Sequence, residues 1–254
     1  MSTGTLDLRL KAFHLPSFLG YYQELARRAQ DEAWSYVRYL EELAALEAAD
    51  RTDRRITRLL KASKLPRDKT LSTLELKRLP TAVRGQIQRL CEGEFLEGAT
   101  NVCIFGNPGV GKTHTMAAIG HELVRQGHSV VFTSVQALVE RLLEAKRDLR
   151  LSRELRRLDR IDCLCLDDIG YVQQERAEME VLFTLLAERY ERKSVMITSN
   201  LVFSKWDQIF KDPMTTAAAI DRVVHHAVIL ELNITSYRAE TAKKRVTRSR
   251  GRAD

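Results

Sequence analysis

The sequence predicts an α/β fold: a five-stranded parallel sheet between helices, preceded by a small all-helical region. Three observations carry that prediction. Five β-rich apolar runs recur from Asn101 onward, with helical patterns between them. The runs are nearly continuous rather than alternating, as in strands covered on both faces. Residues 1–70 contain no such run and have helical periodicity instead. At 254 residues the chain holds one α/β domain and an appendage, and its 44% apolar content suffices for a core.

From the N-terminus, a short helix is expected over residues 6–13, ended by the His14–Pro16 punctuation. A second helix should run uninterrupted from Leu25 to Glu47, because Leu25, Ala29, Ala33, Tyr36/Val37, Leu40 and Leu43 share one face. Trp34, Tyr36 and Tyr39 on it are expected to pack rather than bind, since buried aromatic area is a main source of core stability. A third helix, 51–64, turns Ile56, Leu59 and Leu60 inward and Arg51, Arg54, Arg55, Arg58 and Lys61 outward. One basic face suits phosphate contacts, which seat a protein on DNA without reading its sequence.

The domain boundary is placed near residue 70. Residues 71–100 form a connector with a helix at 82–91, and Pro66 and Pro80 mark its edges. Strands are expected at 101–105, 129–133, 161–166, 194–198 and 227–232, with a helix at 175–192. A ligand of such a sheet binds at the carboxyl ends of the strands. Residues 238–254 form a basic tail.

The run GNPGVGKT, residues 106–113, follows the first strand and opens a helix carrying Met116, Ile119 and Leu123 at helical spacing. It satisfies G-x-x-x-x-G-K-[ST] in the strand–loop–helix setting that makes the pattern a phosphate cradle. Gly106, Gly109 and Gly111 free the backbone so that successive N–H groups face phosphate oxygens. Asn107, Pro108, Val110 and His114 complete the loop and the start of its helix, whose positive end points at the same place. Lys112 supplies charge to the β- and γ-phosphates, and Thr113 offers a hydroxyl to Mg²⁺. A nucleoside triphosphate is the ligand this implies.

Other strand ends supply the remaining chemistry. The third strand ends in Asp167, placed to hold Mg²⁺, and Asp168, placed to orient or deprotonate an attacking water. Because a glutamate would reach further than Asp168, hydrolysis should be slow. Asn200, at the tip of the fourth strand, is suited to hydrogen-bond the γ-phosphate or the water. Arg222 precedes the last strand with no route to its own phosphates, so it is expected to face a neighbouring subunit as an arginine finger. Each has a plainer reading: acids capping a helix, a turn asparagine, or an arginine in a surface pair with Asp221 or Glu231.

No apolar run is long enough to span a bilayer, and no membrane partner is expected. The four cysteines lack C-x-x-C spacing, which suits a reduced, cytoplasmic protein. The net charge of +7 is unevenly spread. Residues 51–69 hold eight Lys/Arg against two acids, 141–160 eight against four, and 238–254 seven against two. Concentrated positive charge on an otherwise acidic body points to a polyanion, here nucleic acid.

With these residues in place, the chain resembles the AAA+ ATPases of the initiator/helicase-loader clade. Within that clade it is most similar to the IstB family, the ATP-dependent helpers of the IS21 group of insertion sequences. The matching words are GNPGVGKTH after Asn101, LDDIGY from Leu166, ITSN from Ile197, DRVVH from Asp221 and SYR from Ser236. The resemblance implies a P-loop AAA+ protein that oligomerises with ATP, binds and bends double-stranded DNA and presents it to a partner transposase, which stimulates hydrolysis. It assigns Lys112, Thr113 and Asp167 to ATP and Mg²⁺, Asp168 and Asn200 to water and γ-phosphate, and Arg222 to a neighbouring subunit. Arg147, Arg150, Arg153, Arg156 and Arg157, in the insertion at 141–160, would meet DNA phosphates. The AAA+ domain, 101–237, leaves no room for a helical lid, which puts any second-sensor role of Arg238 in question. A replicative helicase loader binding single strands is the alternative, although residues 141–160 lack the aromatics that base stacking needs. A small-molecule kinase would have no use for Arg222 or the basic stretches.

Overall fold

The structure, a computed structural model, describes residues 3–169, 176–201, 205–206, 213–225 and 227–237. The chain divides into two compact units, Met1–Arg58 and Leu59–Asp254. That division falls inside a helix rather than near residue 70, because Leu59 and Leu65 already pack into the core beneath the sheet.

The first unit consists of α1 (Thr3–Ala12), α2 (Pro16–Asp31) and most of α3 (Tyr36–Ser63). The uninterrupted helix expected from Leu25 to Glu47 is broken. Ala33 takes a φ of 50°, and the Trp34 N–H turns back to Ala29 O at 2.8 Å, closing α2. Ser35 then caps α3 by accepting the Arg38 N–H at 3.2 Å. From there α3 continues through residue 50, so no separate helix begins at Arg51. Without Gly, Pro or a cap, nothing stops it. Tyr39 packs as expected, its hydroxyl donating to Tyr22 O at 2.9 Å, whereas Tyr36 is 94% exposed.

The unit is pinned by Glu47, which is buried and accepts from the Ser17 N–H at 2.9 Å, from Arg51 Nε at 2.8 Å and from Arg54 at 3.2 Å. Burial opposes its charge, but the hydrogen bonds from Arg51 and Ser17 outweigh it and bring the carboxyl down to about 2.

In the second unit α4 (Thr81–Glu92) leads to β1 (Asn101–Phe105), α5 (Lys112–Arg125), β2 (Val130–Ser134), α6 (Val135–Arg147) and α7 (Leu151–Asp159). Then come β3 (Cys163–Asp167), α8 (Arg176–Arg189), β4 (Ser194–Ser199), α9 (Pro213–Val224) and β5 (Ala227–Glu231). The five strands form one parallel sheet in the order β2-β3-β4-β1-β5. Side chains alternate between its faces. Cys103, Phe105, Leu164 and Leu166 pack with α6, α7 and α8, while Val102, Ile104, Cys163 and Cys165 pack with α4 and α5. Cys103 is fully buried, which pushes its thiol up to about 12 and makes it an inert core residue.

The register sets the site. Phe105 pairs with Ser199 across β1 and β4, and Ser134 with Asp167 across β2 and β3. The ends of β1, β3 and β4 therefore converge on one edge, as the strand-end rule requires.

Candidate nucleotide site

The loop after β1 turns at Gly106, whose φ is 153°. A Cβ there would lie 2.8 Å from Leu232 O, because the chain leaving β5 crosses directly over it. The Leu232 N–H donates to Phe105 O at 2.8 Å, and the Tyr237 N–H to Gly109 O at 3.1 Å. The segment after β5 thus straps the loop in place. Gly111, at φ 101°, is the residue before α5, and a Cβ on it would meet nothing within 4 Å. It looks into an open cradle at the positive end of a 14-residue helix.

Lys112 is buried at 8% exposure and folds back over this loop. Its Nζ donates to Gly106 O at 2.8 Å, to Asn107 O at 3.1 Å and to Asn200 Oδ1 at the end of β4. Thr113 Oγ1 donates to Asp167 Oδ1 at 3.0 Å. The Thr198 hydroxyl donates to the same oxygen at 2.7 Å and accepts the Asp168 N–H at 2.8 Å. Asn200 Nδ2 lies 3.4 Å from Asp168 Oδ1. Burial and the neighbouring Asp167 carboxylate push Asp168 up, with Lys112 acting against them.

Lys112, Thr113, Asp167, Asp168 and Asn200 thus line one cleft of about 510 Å³, together with Pro108, Gly109, Val110, Gly111 and His114. That volume is in the range of small-molecule sites. Among the described residues no three His, Cys, Asp or Glu side chains converge. A hydroxyl beside one carboxylate instead suits Mg²⁺, which keeps few protein ligands and takes its other oxygens from phosphate and water. An ammonium, an open N–H cradle and this hydroxyl–carboxylate pair fit a Mg²⁺-bound triphosphate.

Several residues here escape sequence reasoning. Thr198 joins Asp167 to Asp168, but a hydroxyl inside a strand carries no signal of its own. Lys69, just before the connector, and Thr73, Leu74, Glu75 and Arg78 within it form a wall, although neither stretch has a phosphate-binding motif. His114 fixes that wall, with Nε2 3.1 Å from both Thr70 O and Thr73 Oγ1. Arg78 lies over the Tyr237 ring at 5.6 Å.

The remaining candidates lie elsewhere. Asn101 Nδ2 donates to Val223 O at 3.1 Å, so the end of α9 sits at the amino end of β1, opposite the phosphate loop. The Arg222 guanidinium lies there, 4.6 Å above the Phe183 ring, with Nη1 buried and unbonded among the described residues. Arg51, Arg54, Arg55, Arg58 and Lys61 are exposed on α3, although Arg51 and Arg54 are held by Glu47. Arg147, Arg150, Arg153, Arg156 and Arg157 are exposed on or between α6 and α7. Of these Arg150 pairs with Asp148, and Arg157 with Glu154 at 2.9 Å. Arg238 and the basic tail lie outside the described residues. Among the described residues no helix is long and apolar enough to cross a membrane.

Comparison with known proteins agrees with this geometry. Structures of the DnaC helicase loader (TM-score 0.55, 18% identity, 66% of this chain and 98% of that one) and of AMPPCP-bound DnaA from Aquifex aeolicus (TM-score 0.57, 20% identity, 71% and 56%) share the fold. The fold class expected from the sequence, a five-stranded parallel sheet between helices with a phosphate loop after its first strand, is therefore the one found. A putative insertion sequence ATP-binding protein of Sinorhizobium fredii is 41% identical over 248 residues, 97% of this chain and 83% of that protein. The insertion sequence IS21 putative ATP-binding protein of Pseudomonas aeruginosa is 35% identical over 236 residues, 93% and 88% respectively. The family model described as IstB-like ATP binding protein matches residues 8–245, spanning the helical unit as well as the nucleotide cleft. Over nearly its whole length, then, the chain belongs to the IstB-like ATP binding protein family.

Proposed function

We propose that this protein is an ATPase that helps transposition. It assembles into a homo-oligomer on double-stranded DNA when ATP is bound, bends that DNA, and presents it to the transposase of the same element. The transposase in turn stimulates an otherwise slow hydrolysis of ATP to ADP and phosphate. The observation that carries this reading is the convergence of Lys112, Thr113, Asp167 and Asn200 on one cleft, in a chain whose relatives are named insertion sequence ATP-binding proteins.

In this reading, the N–H groups of residues 106–113 and the start of α5 receive the phosphates. Lys112 exchanges the carbonyls of Gly106 and Asn107 for β- and γ-phosphate oxygens. Thr113 and Asp167 would hold Mg²⁺, whose charge offsets that of the triphosphate as the P–O bond breaks. Asp168, fixed through its N–H by Thr198, takes the proton of the attacking water, and Asn200 turns its amide to the γ-phosphate. Arg222 leaves Phe183 to reach the γ-phosphate held by a neighbouring subunit. Arginines of α3 and of the α6–α7 hairpin neutralise the DNA backbone. The protein works where its DNA is, in the cytoplasm. A helicase loader is the weaker reading, since relatives 41% and 35% identical carry insertion sequence names.

Binding to a plain duplex, measured by anisotropy with and without ATP, tests this. The full-length protein should bind with ATP and Mg²⁺, and its affinity should fall steeply with added salt. Lys112→Ala should lose the ATP-dependent part. ATP-dependent binding that survives in Lys112→Ala would separate the cleft from DNA and refute the reading.

A further inference from the structure

The hairpin between α6 and α7 carries an unusual apex. Leu149 is 95% exposed and sits at a φ of 55°. Its N–H donates to Lys146 O at 3.1 Å, and the Arg150 N–H donates to Ala145 O at 2.7 Å. This is the closing motif of a helix, at the position that glycine or asparagine normally occupies. A leucine there is strained by its Cβ and gains no burial in return. The apolar side of α7 is used in the ordinary way, with Leu151, Leu155 and Leu158 packed on the core. Leu149 alone of this set is turned to solvent.

The hairpin is also basic, and an ion pair links its two helices. Glu154 of α7 pairs with Arg141 of α6 at 2.9 Å and with Arg157 at 2.9 Å, joining the two helices. Lys146 is tied to Glu180 of α8 at 2.9 Å. Arg147 and Arg150 flank the apex in sequence and Arg153 and Arg156 follow on α7, all exposed, with Arg150 paired to Asp148. A basic hairpin with one apolar tip matches the chemistry of a stacked polyanion. Arginines on either side suit phosphates, and an apolar tip suits the base pairs between them.

We propose that Leu149 is a wedge that enters double-stranded DNA between adjacent base pairs and kinks it. Apolar side chains flanked by basic ones are how many proteins unstack a base step, exchanging stacking energy for a bend that brings more backbone into contact. The inference rests on the duplex-binding reading above and assigns the bending to one residue.

The test uses the full-length protein with ATP and Mg²⁺. The duplex carries 2-aminopurine at spaced positions and a donor–acceptor dye pair at its ends. At saturating protein, confirmed by anisotropy, the wild type should raise 2-aminopurine fluorescence and shorten the end-to-end distance. Leu149→Gly suits the backbone and so keeps the hairpin, but it should leave both signals near those of free duplex. Leu149→Met should keep them. A wild-type response from Leu149→Gly at saturation would overturn the wedge while leaving duplex binding intact. So would a wild type that binds without any rise, or a Leu149→Met as inert as Leu149→Gly. If the wild type binds no duplex at all, the wider reading fails first. If Leu149→Gly loses ATP-dependent assembly without DNA, the leucine belongs to a contact between copies and the wedge is wrong.

Discussion

Asp168 sits at a φ of 65°, and its short side chain is within reach of Asn200 but one methylene less extended than a glutamate. If it orients the attacking water, that reach limits the chemical step. Single-turnover ATP hydrolysis by Asp168→Glu should then be faster than wild type by roughly 3- to 10-fold, a modest part of what a general base contributes. A rate no higher would show that reach is not the brake. Arg222 makes a different kind of claim. Its guanidinium lies on Phe183, at the amino end of β1, and its proposed partner is another subunit's phosphate. Arg222→Ala should bind ATP normally yet lose turnover by about 10³-fold, in line with arginine fingers elsewhere. Mixing it with excess Lys112→Ala should restore part of the activity, because mixed interfaces then pair an intact cleft with an intact arginine. Unchanged turnover in Arg222→Ala alone would remove the finger. The residues legible in the sequence are those whose types the chemistry restricts: glycines facing a cradle, a lysine, and an acid at a strand end. Thr198 was not legible, since a strand threonine is ordinary until its two hydrogen bonds are seen.

Elements were read well where the pattern was strong and poorly where a single cap decides. The strand positions follow from apolar runs that the sheet covers on both faces. The join between α2 and α3 was missed because the apolar stripe continues across it, while Ser35 supplies the cap that restarts the helix. Arg189 is the element-level feature that the periodicity of α8 conceals. It is 1% exposed and donates to Leu158 O at 2.8 Å, Ile161 O at 2.9 Å and Ser194 O at 2.9 Å. It thereby ties the end of α7 to the entrances of β3 and β4. Burial pulls its guanidinium down to about 10, with nearby Asp159 and Asp162 opposing. Arg189→Met fills similar space but strands those carbonyls, so urea unfolding should show a loss of about 3 kcal/mol, as expected for buried acceptors left without a donor. A loss within experimental error would mean that water or backbone shifts replace the guanidinium.

At the scale of the molecule, two features stand apart. Nucleotide chemistry is gathered in the second unit, whereas positive charge is spread over α3, the α6–α7 hairpin and the tail. Arg222 lies away from its own phosphate loop, so the finger role proposed for it requires a neighbour. A basic hairpin gains most when several copies line it up along one duplex, because backbone contacts multiply and counterions are released at each. On the proposed function, ATP bound between copies would convert a monomer into a DNA-binding array. Mass measured by light scattering, with long duplex and ATP both in excess and no transposase present, tests this most directly. Large assemblies should form with ATP and disappear with ADP or in Lys112→Ala. A protein that stays monomeric under those conditions would contradict the central claim, leaving a nucleotide site without the task assigned to it.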